Sequence, residues 1–233
     1  MKKRSIWLAA YPLTILAAMV CIRWGSRTVT ALAENSSVER SACIILDAGH
    51  GGVDGGATSC SGILESRYNL EIALRLEDLF HLLGYETKMI RREDISVYTK
   101  GETIAQKKVS DLKERLRIAT ETPDALYLSI HQNYFSDRRY SGAQVFYPKT
   151  DGSQELARQL QTALCTALDP DNHRQAKKSS GVYLMDRLPC TGVLIECGFL
   201  SNPQEDARLR DGTYQKKLCA VIATSVGSFL SNT

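Results

Sequence analysis

Three short apolar runs constrain this chain more than any other feature. They are Cys43-Ile44-Ile45-Leu46, Ala125-Leu126-Tyr127-Leu128-Ser129-Ile130 and Gly192-Val193-Leu194-Ile195. Short runs with so few polar interruptions are expected of strands buried on both faces. Between them lie segments with helical spacing. Residues 66–83 carry Leu70, Ala73, Leu74, Leu76, Leu79, Phe80 and Leu83, and Gly84 follows where a helix-ending glycine belongs. Residues 103–120 are charged and amphipathic, with Ile104, Val109, Leu112, Leu116 and Ile118 as the expected apolar face. Residues 154–168 form a helix stopped near Asp169-Pro170, and 214–230 a closing helix. Further strands are expected at 86–91, 143–147 and 182–185. Alternating strands and helices with short connections predict a single α/β domain with a largely parallel sheet.

Each of the three runs leads into a residue that can do chemistry. The first reaches His50 through Asp47-Ala48-Gly49, the second ends on His131 and the third on Glu196. Open parallel sheets build their sites beyond the carboxyl ends of the strands, so the topology brings these residues to one edge. Glu65 lies in Gly62-Ile63-Leu64-Glu65-Ser66, just before the first helix. A catalytic zinc takes three protein ligands and leaves one position for water. His50, Glu65 and His131 are the candidate ligands. Glu196 is the candidate general base, because a carboxylate ending an apolar run is costly unless it is paired or used.

Each residue taken singly has a plainer reading. A strand-end histidine can be structural, Glu65 can serve the helix dipole, and Glu196 can pair with Arg67, Arg91 or Arg92. Two histidines and two glutamates at one sheet edge favour the metal. The glycine-rich turn at residues 49–52 lacks a following Gly-Lys-Ser/Thr, so it does not read as a phosphate loop. His81 and His173 sit in a helical and a polar segment and read as bystanders.

Charge excludes one class of partner. Residues 1–40 hold six basic and two acidic residues, leaving 23 and 24 in the rest, a net charge of −1. The body therefore gives no electrostatic support for nucleic-acid binding. Lys2-Lys3-Arg4 precedes an almost uncharged run from Ile6 to Ile22, with Ala31-Leu32-Ala33 further on. Residues 1–23 read as a cleaved signal peptide or an uncleaved membrane anchor, and 24–41 as a linker. Either reading puts the domain at 42–233 outside the cytoplasm. Six cysteines fall in that domain with no CxxC pair, three of them (Cys43, Cys197 and Cys219) in apolar segments, so buried free thiols are expected.

The motifs together carry a resemblance. Residues 44–52, then Glu65, then Leu128-Ser129-Ile130-His131-Gln132-Asn133, then residues 194–202 resemble the zinc-dependent N-acetylmuramoyl-L-alanine amidases. The resemblance implies a sheet of about six strands, mostly parallel and twisted, flanked by helices. It implies Zn2+ on His50, Glu65 and His131, with Glu196 catalytic. The implied substrate is peptidoglycan, cut at the amide between the lactyl group of N-acetylmuramic acid and L-alanine of the stem peptide. Some relatives need an activator protein. The stretches 107–117, 141–144, 174–178 and 181–185 are similar to the sporulation-specific members, which act on spore cortex toward muramic-δ-lactam. Two positions depart from the common pattern: Ala48 where proline is frequent, and Cys197 beside the catalytic glutamate. A zinc peptidase acting within the stem peptide, a non-hydrolytic wall-binding module and a tethered structural protein are the alternatives.

Overall fold

The computed structural model describes residues 42–232. The leader and linker expected at residues 1–41 lie outside the described residues. Among the described residues no helix is long and apolar enough to cross a membrane.

Six strands form one sheet: β1 (Ile44–Ala48), β2 (Thr87–Met89), β3 (Leu126–Asn133), β4 (Gln144–Tyr147), β5 (Lys177–Lys178) and β6 (Thr191–Phe199). Their order is β2-β1-β3-β6-β4-β5. The central strands pair in parallel, and β4 runs antiparallel to β6. Among the described residues five helices accompany them: α1 (Glu65–Leu82), α2 (Ile104–Thr120), α3 (Ser153–Leu168), α4 (Pro203–Arg210) and α5 (Gly212–Ser231). The expected α/β architecture is borne out.

Strand alternation divides the core in two. One face of the sheet presents Ile44, Leu46, Leu128, Ile130, Val193 and Ile195 to α1, α3 and α5. The other presents Ile45, Tyr127 and Leu194 to Ala119 of α2 and to Leu184, Met185 and Leu188. Central strands covered on both faces explain the unbroken apolar runs.

Two expectations need correction. Residues 182–185 are not a strand. Gly181 takes a φ of 78° and the chain folds into a turn, with Asp186 N–H donating to the Val182 carbonyl. Leu184 and Met185 are both buried, which a strand facing one layer could not achieve with adjacent residues. Strand β5 is instead the short Lys177–Lys178 pairing. The second correction concerns α2. Thr103 caps it through a capping box with Gln106, as its sequence allows. Leu116 and Ile118 pack half-buried against the core as expected, yet Ile104 and Val109 are exposed, and the fully buried residues are Ser110, Arg115 and Ala119.

Arg115 is what fixes α2 to the sheet. Its guanidinium pairs with Asp47 on β1 and with Asp111, 2.5 Å away, and all three side chains are largely withdrawn from water. It also donates to the carbonyls of Ala48 (3.1 Å) and His50 (2.8 Å). Asp47 accepts in addition from Ser129 Oγ at 2.8 Å. Removing one partner of a buried pair strands the other charge, at a cost of roughly 3–5 kcal/mol. Arg115→Met is therefore expected to lose about that much stability in urea unfolding. The Arg115→Met/Asp47→Asn double variant should recover part of it; a double variant no more stable than Arg115→Met would refute the pairing.

Candidate metal centre and active site

The register of the sheet builds most of the site. His131 of β3 lies opposite Glu196 of β6, and Glu196 lies opposite Gln144 of β4. The three form a row across adjacent strands, with side chains on the face that carries Asp47 and Ser129. His50 stands two residues beyond the end of β1, in a left-handed conformation with φ 61°. Glu65 arrives from the other side as the first residue of α1, one position inside the helix rather than just before it.

These groups converge. His50 Nε2 is 3.2 Å from Glu65 Oε2, and His131 Nδ1 is 3.0 Å from Glu65 Oε1. The two imidazoles meet edge to face, with ring centroids 5.0 Å apart. Ligand atoms of His50, Glu65 and His131 all lie within 4.8 Å of one another. Tetrahedral coordination with bonds near 2.0–2.1 Å puts ligand atoms roughly 3.3 Å apart. The spacing and the donor types fit a divalent cation of the transition series.

The surroundings fix each donor. Glu65 Oε1 accepts from the Gln132 amide (3.2 Å) and from Asn69 Nδ2 (3.3 Å), and Oε2 accepts from the Ala57 amide (3.0 Å). His50 Nδ1 lies 3.0 Å from Asp54 Oδ2, which also pairs with Lys108 Nζ at 3.0 Å. A carboxylate on one imidazole nitrogen sets the tautomer that leaves the other free to ligate. Two glycines make room. A Cβ on Gly49 would overlap the His131 ring. One on Gly56 would fall 2.5 Å from Glu65 Oε2 and 2.8 Å from His50 Cδ2.

Glu196 is different. Its Oε2 is shut off from solvent and accepts no hydrogen bond among the described residues. The ion pairs considered for it do not form. Arg91 donates to the carbonyls of Ala48, Gly49, Ser66 and Glu93, and Arg92 pairs with Glu77. Burial pushes the Glu196 carboxyl up to about 7, with the neighbouring Glu65 adding to the rise and the histidines opposing it. An unpartnered carboxylate with so high a pKa is suited to taking and returning a proton near neutrality.

The remaining predicted residues fall as expected. His81 is bound to Thr87 Oγ1 at 2.6 Å on an exposed surface, and His173 is exposed, away from the cluster. Cys197 is buried on the opposite face from Glu196, in the core with Cys219, and burial drives its thiol pKa far up. All six described cysteines are free. Asp54 is the contact that sequence reasoning misses. Its signal is faint: an acid four residues after a strand-end histidine, across a glycine turn.

Residues 44–228 match the N-acetylmuramoyl-L-alanine amidase family. The chain belongs to that family. It is 37% identical over 181 residues to the germination-specific N-acetylmuramoyl-L-alanine amidase of Bacillus subtilis, covering 77% of this chain and 76% of that protein. It is also similar to the CwlD amidase of Clostridioides difficile, solved in complex with the GerS lipoprotein. That match has a TM-score of 0.79 and 38% identity, and covers 82% of this chain and all of that one. An N-acetylmuramoyl-L-alanine amidase from Clostridium difficile follows the fold with a TM-score of 0.71, at 25% identity over 82% of this chain and 98% of the other.

The metal-free site has a pH signature. Burial alone would lower the His50 pKa, but Asp54 and Glu65 overcome it and raise the group from 6.5 to about 9. A raised histidine pKa stabilises the fold fully below 6.5, and that contribution fades as pH climbs through about 9. Glu196, also raised, acts in the same direction up to about 7. Chelator-treated protein should therefore melt at progressively lower temperature from pH 6.5 to 9, with a shallower slope in His50→Ala. A wild-type profile that is flat or rising over that window would contradict the cluster's electrostatics.

Proposed function

We propose that this amidase holds Zn2+ on His50, Glu65 and His131 and uses Glu196 as the proton carrier. The bond cut is the amide between the lactyl group of N-acetylmuramic acid and L-alanine of the stem peptide. The observation that carries the reading is Glu196, half-buried and unpartnered, with Oε2 closed to solvent, directly opposite His131 beside a cluster of two imidazoles and a carboxylate. When bound, zinc polarises a carbonyl oxygen and acidifies water.

The chain's own residues divide the remaining work. Asp54 holds the His50 ring, and the amides of Ala57 and Gln132 hold the Glu65 carboxylate, so the donors need not reorganise on metal binding. The Glu196 carboxylate, without a protein partner among the described residues, takes a proton from the attacking water. It then gives that proton to the L-alanine nitrogen as the amide breaks. Because Glu196 starts and ends ionised, one residue serves both steps.

The wider setting is part of the proposal. The germination-specific name of the Bacillus subtilis relative supports a role in spore cortex, upstream of muramic-δ-lactam. The lipoprotein complexed with CwlD supports a requirement for an activator. Export of the domain by its apolar leader agrees with a wall substrate.

The test is muropeptide analysis by mass spectrometry after digestion with zinc-loaded protein. Intact stem peptides beginning with L-alanine are expected. Cleavage within the stem would instead indicate a peptidase, and binding without release a wall-binding module. Glu196→Gln should keep its zinc and lose about 10²–10⁴-fold in turnover, the usual worth of a general acid–base group. Near-normal turnover would remove Glu196 from the mechanism. His131→Ala should lower zinc content; unchanged stoichiometry would remove it from the ligand set.

A further inference from the structure

The row of site residues does not end at Glu196. Gln144, its cross-strand neighbour on β4, lies beside it on the same face of the sheet. Gln144 Oε1 accepts from Arg174 Nη1 at 3.2 Å, and Gln144 Nε2 donates to the Gln175 carbonyl at 3.1 Å. Arg174 precedes β5, which runs parallel to β4 and enters the sheet at this same edge. His50, His131, Glu196, Gln144 and Arg174 therefore follow one another across the sheet, strand by strand.

Arg174 is unusually well fixed for a half-buried arginine. Its guanidinium carbon sits 4.8 Å from the Phe199 ring centroid and 5.8 Å from that of Tyr140. Nε donates to the Ser141 carbonyl at 2.9 Å. The loop beneath it is anchored in turn. Glu205 accepts from the amides of Gly142 (3.1 Å) and Phe199 (2.8 Å), binding the loop to the end of β6. Nη2 makes no hydrogen bond among the described residues, and no carboxylate there neutralises the guanidinium. A planar cation held on two rings, with one N–H pair unspent, is a preorganised carboxylate receptor.

We infer that Arg174 anchors a carboxylate of the stem peptide, two strands beyond the proton carrier, and so sets which way the substrate lies across the site. The inference rests on the amidase reading for the identity of the ligand. The muramoyl side of the scissile bond has its lactyl carboxyl tied up as the amide. The peptide side is where free carboxylates remain. Arg174 thus places the leaving peptide toward β4 and β5 and the glycan toward β1 and β2.

The test is calorimetric titration of the zinc-loaded full chain with two ligands. One is a stem peptide beginning with L-alanine, and the other is the same peptide with its carboxylates converted to carboxamides. Wild type is expected to bind the acid form about ten- to a hundred-fold more tightly, the range of a hydrogen bond to a charged group. R174M should bring the acid form down to the amide's affinity, and R174K should retain an intermediate preference. R174M that keeps wild-type affinity for the acid peptide overturns the inference, as does a folded R174M that weakens both peptides equally. A wild type that does not distinguish the peptides overturns it with no variant needed. Muropeptide cleavage by the same preparations separates the two readings. Arg174-dependent binding without cleavage would sink the amidase mechanism and keep the subsite. Cleavage without discrimination between the peptides would sink the subsite alone.

Discussion

The geometry of this molecule depends on two buried arginines that grip the same three residues of backbone. Arg115 from α2 and Arg91, just after β2, both donate to the Ala48 carbonyl. Arg91 also takes the Gly49 carbonyl, and Arg115 that of His50. The turn leaving β1 thus has its carbonyls satisfied by cations rather than by water. That matters because His50 is a non-glycine residue at positive φ, a conformation that has to be held by its surroundings. Two guanidinium groups so close repel, and together with burial this lowers the Arg91 pKa to about 10. Asp47 and Asp111 supply the countercharge at Arg115. The ion pairs therefore look like a device for aiming His50 more than a source of stability, since burying such charges recovers little net energy.

The sheet register is the second determinant. A period of two means that His131, Glu196 and Gln144 share a face only because their strands are in this alignment. A slip of one residue in β6 would turn Glu196 into the apolar layer and bring Cys197 to the site. The apolar residues on both sides of these strands make such a slip expensive. The strongly buried residues Val193, Ile195 and Cys197 on one face and Leu194 on the other would all change layers. Core packing thereby specifies which side chain faces the cluster of His50, Glu65 and His131. The same packing leaves Glu196 Oε2 without a partner among the described residues, a cost the fold tolerates at the one glutamate set opposite His131.

Much of this was legible in the sequence, for identifiable reasons. Buried parallel strands must be apolar throughout, so a histidine or glutamate at their ends stands out, and topology then gathers those ends. His50, His131 and Glu196 stand out in that way, and Glu65 joins the two histidines from the start of α1. What stayed hidden depended on tertiary partners. Periodicity assigned Ile104 and Val109 to the buried face of α2, but the first half of that helix is exposed there, and its buried contact with β1 is made by the charged Arg115 on Asp47. Residues 182–185 have strand composition, yet Gly181 and the need to bury two adjacent side chains impose a turn. Asp54 and Arg174 are polar residues in loops, and nothing in their local sequence reports that one faces an imidazole and the other two aromatic rings.

Cys197 shows how these constraints act together. A thiolate beside Glu196 would be a better ligand for a zinc ion than a carboxylate. Distance along the chain offers no protection, since Cys197 adjoins Glu196. Core packing does: Cys197 is buried in the layer of Val193 and Ile195, away from Glu196, although β6 has an extra residue against β3 between Glu196 and Phe199. Burial beside Cys219 adds a second barrier by holding the thiol protonated, and a protonated thiol is a poor ligand. The sequence therefore needs no small residue at this position so long as Cys197 keeps to the apolar layer. The chain is anchored just past that irregular step: Asn202 caps α4, and Glu205 ties the Phe199 amide to the loop that carries Tyr140.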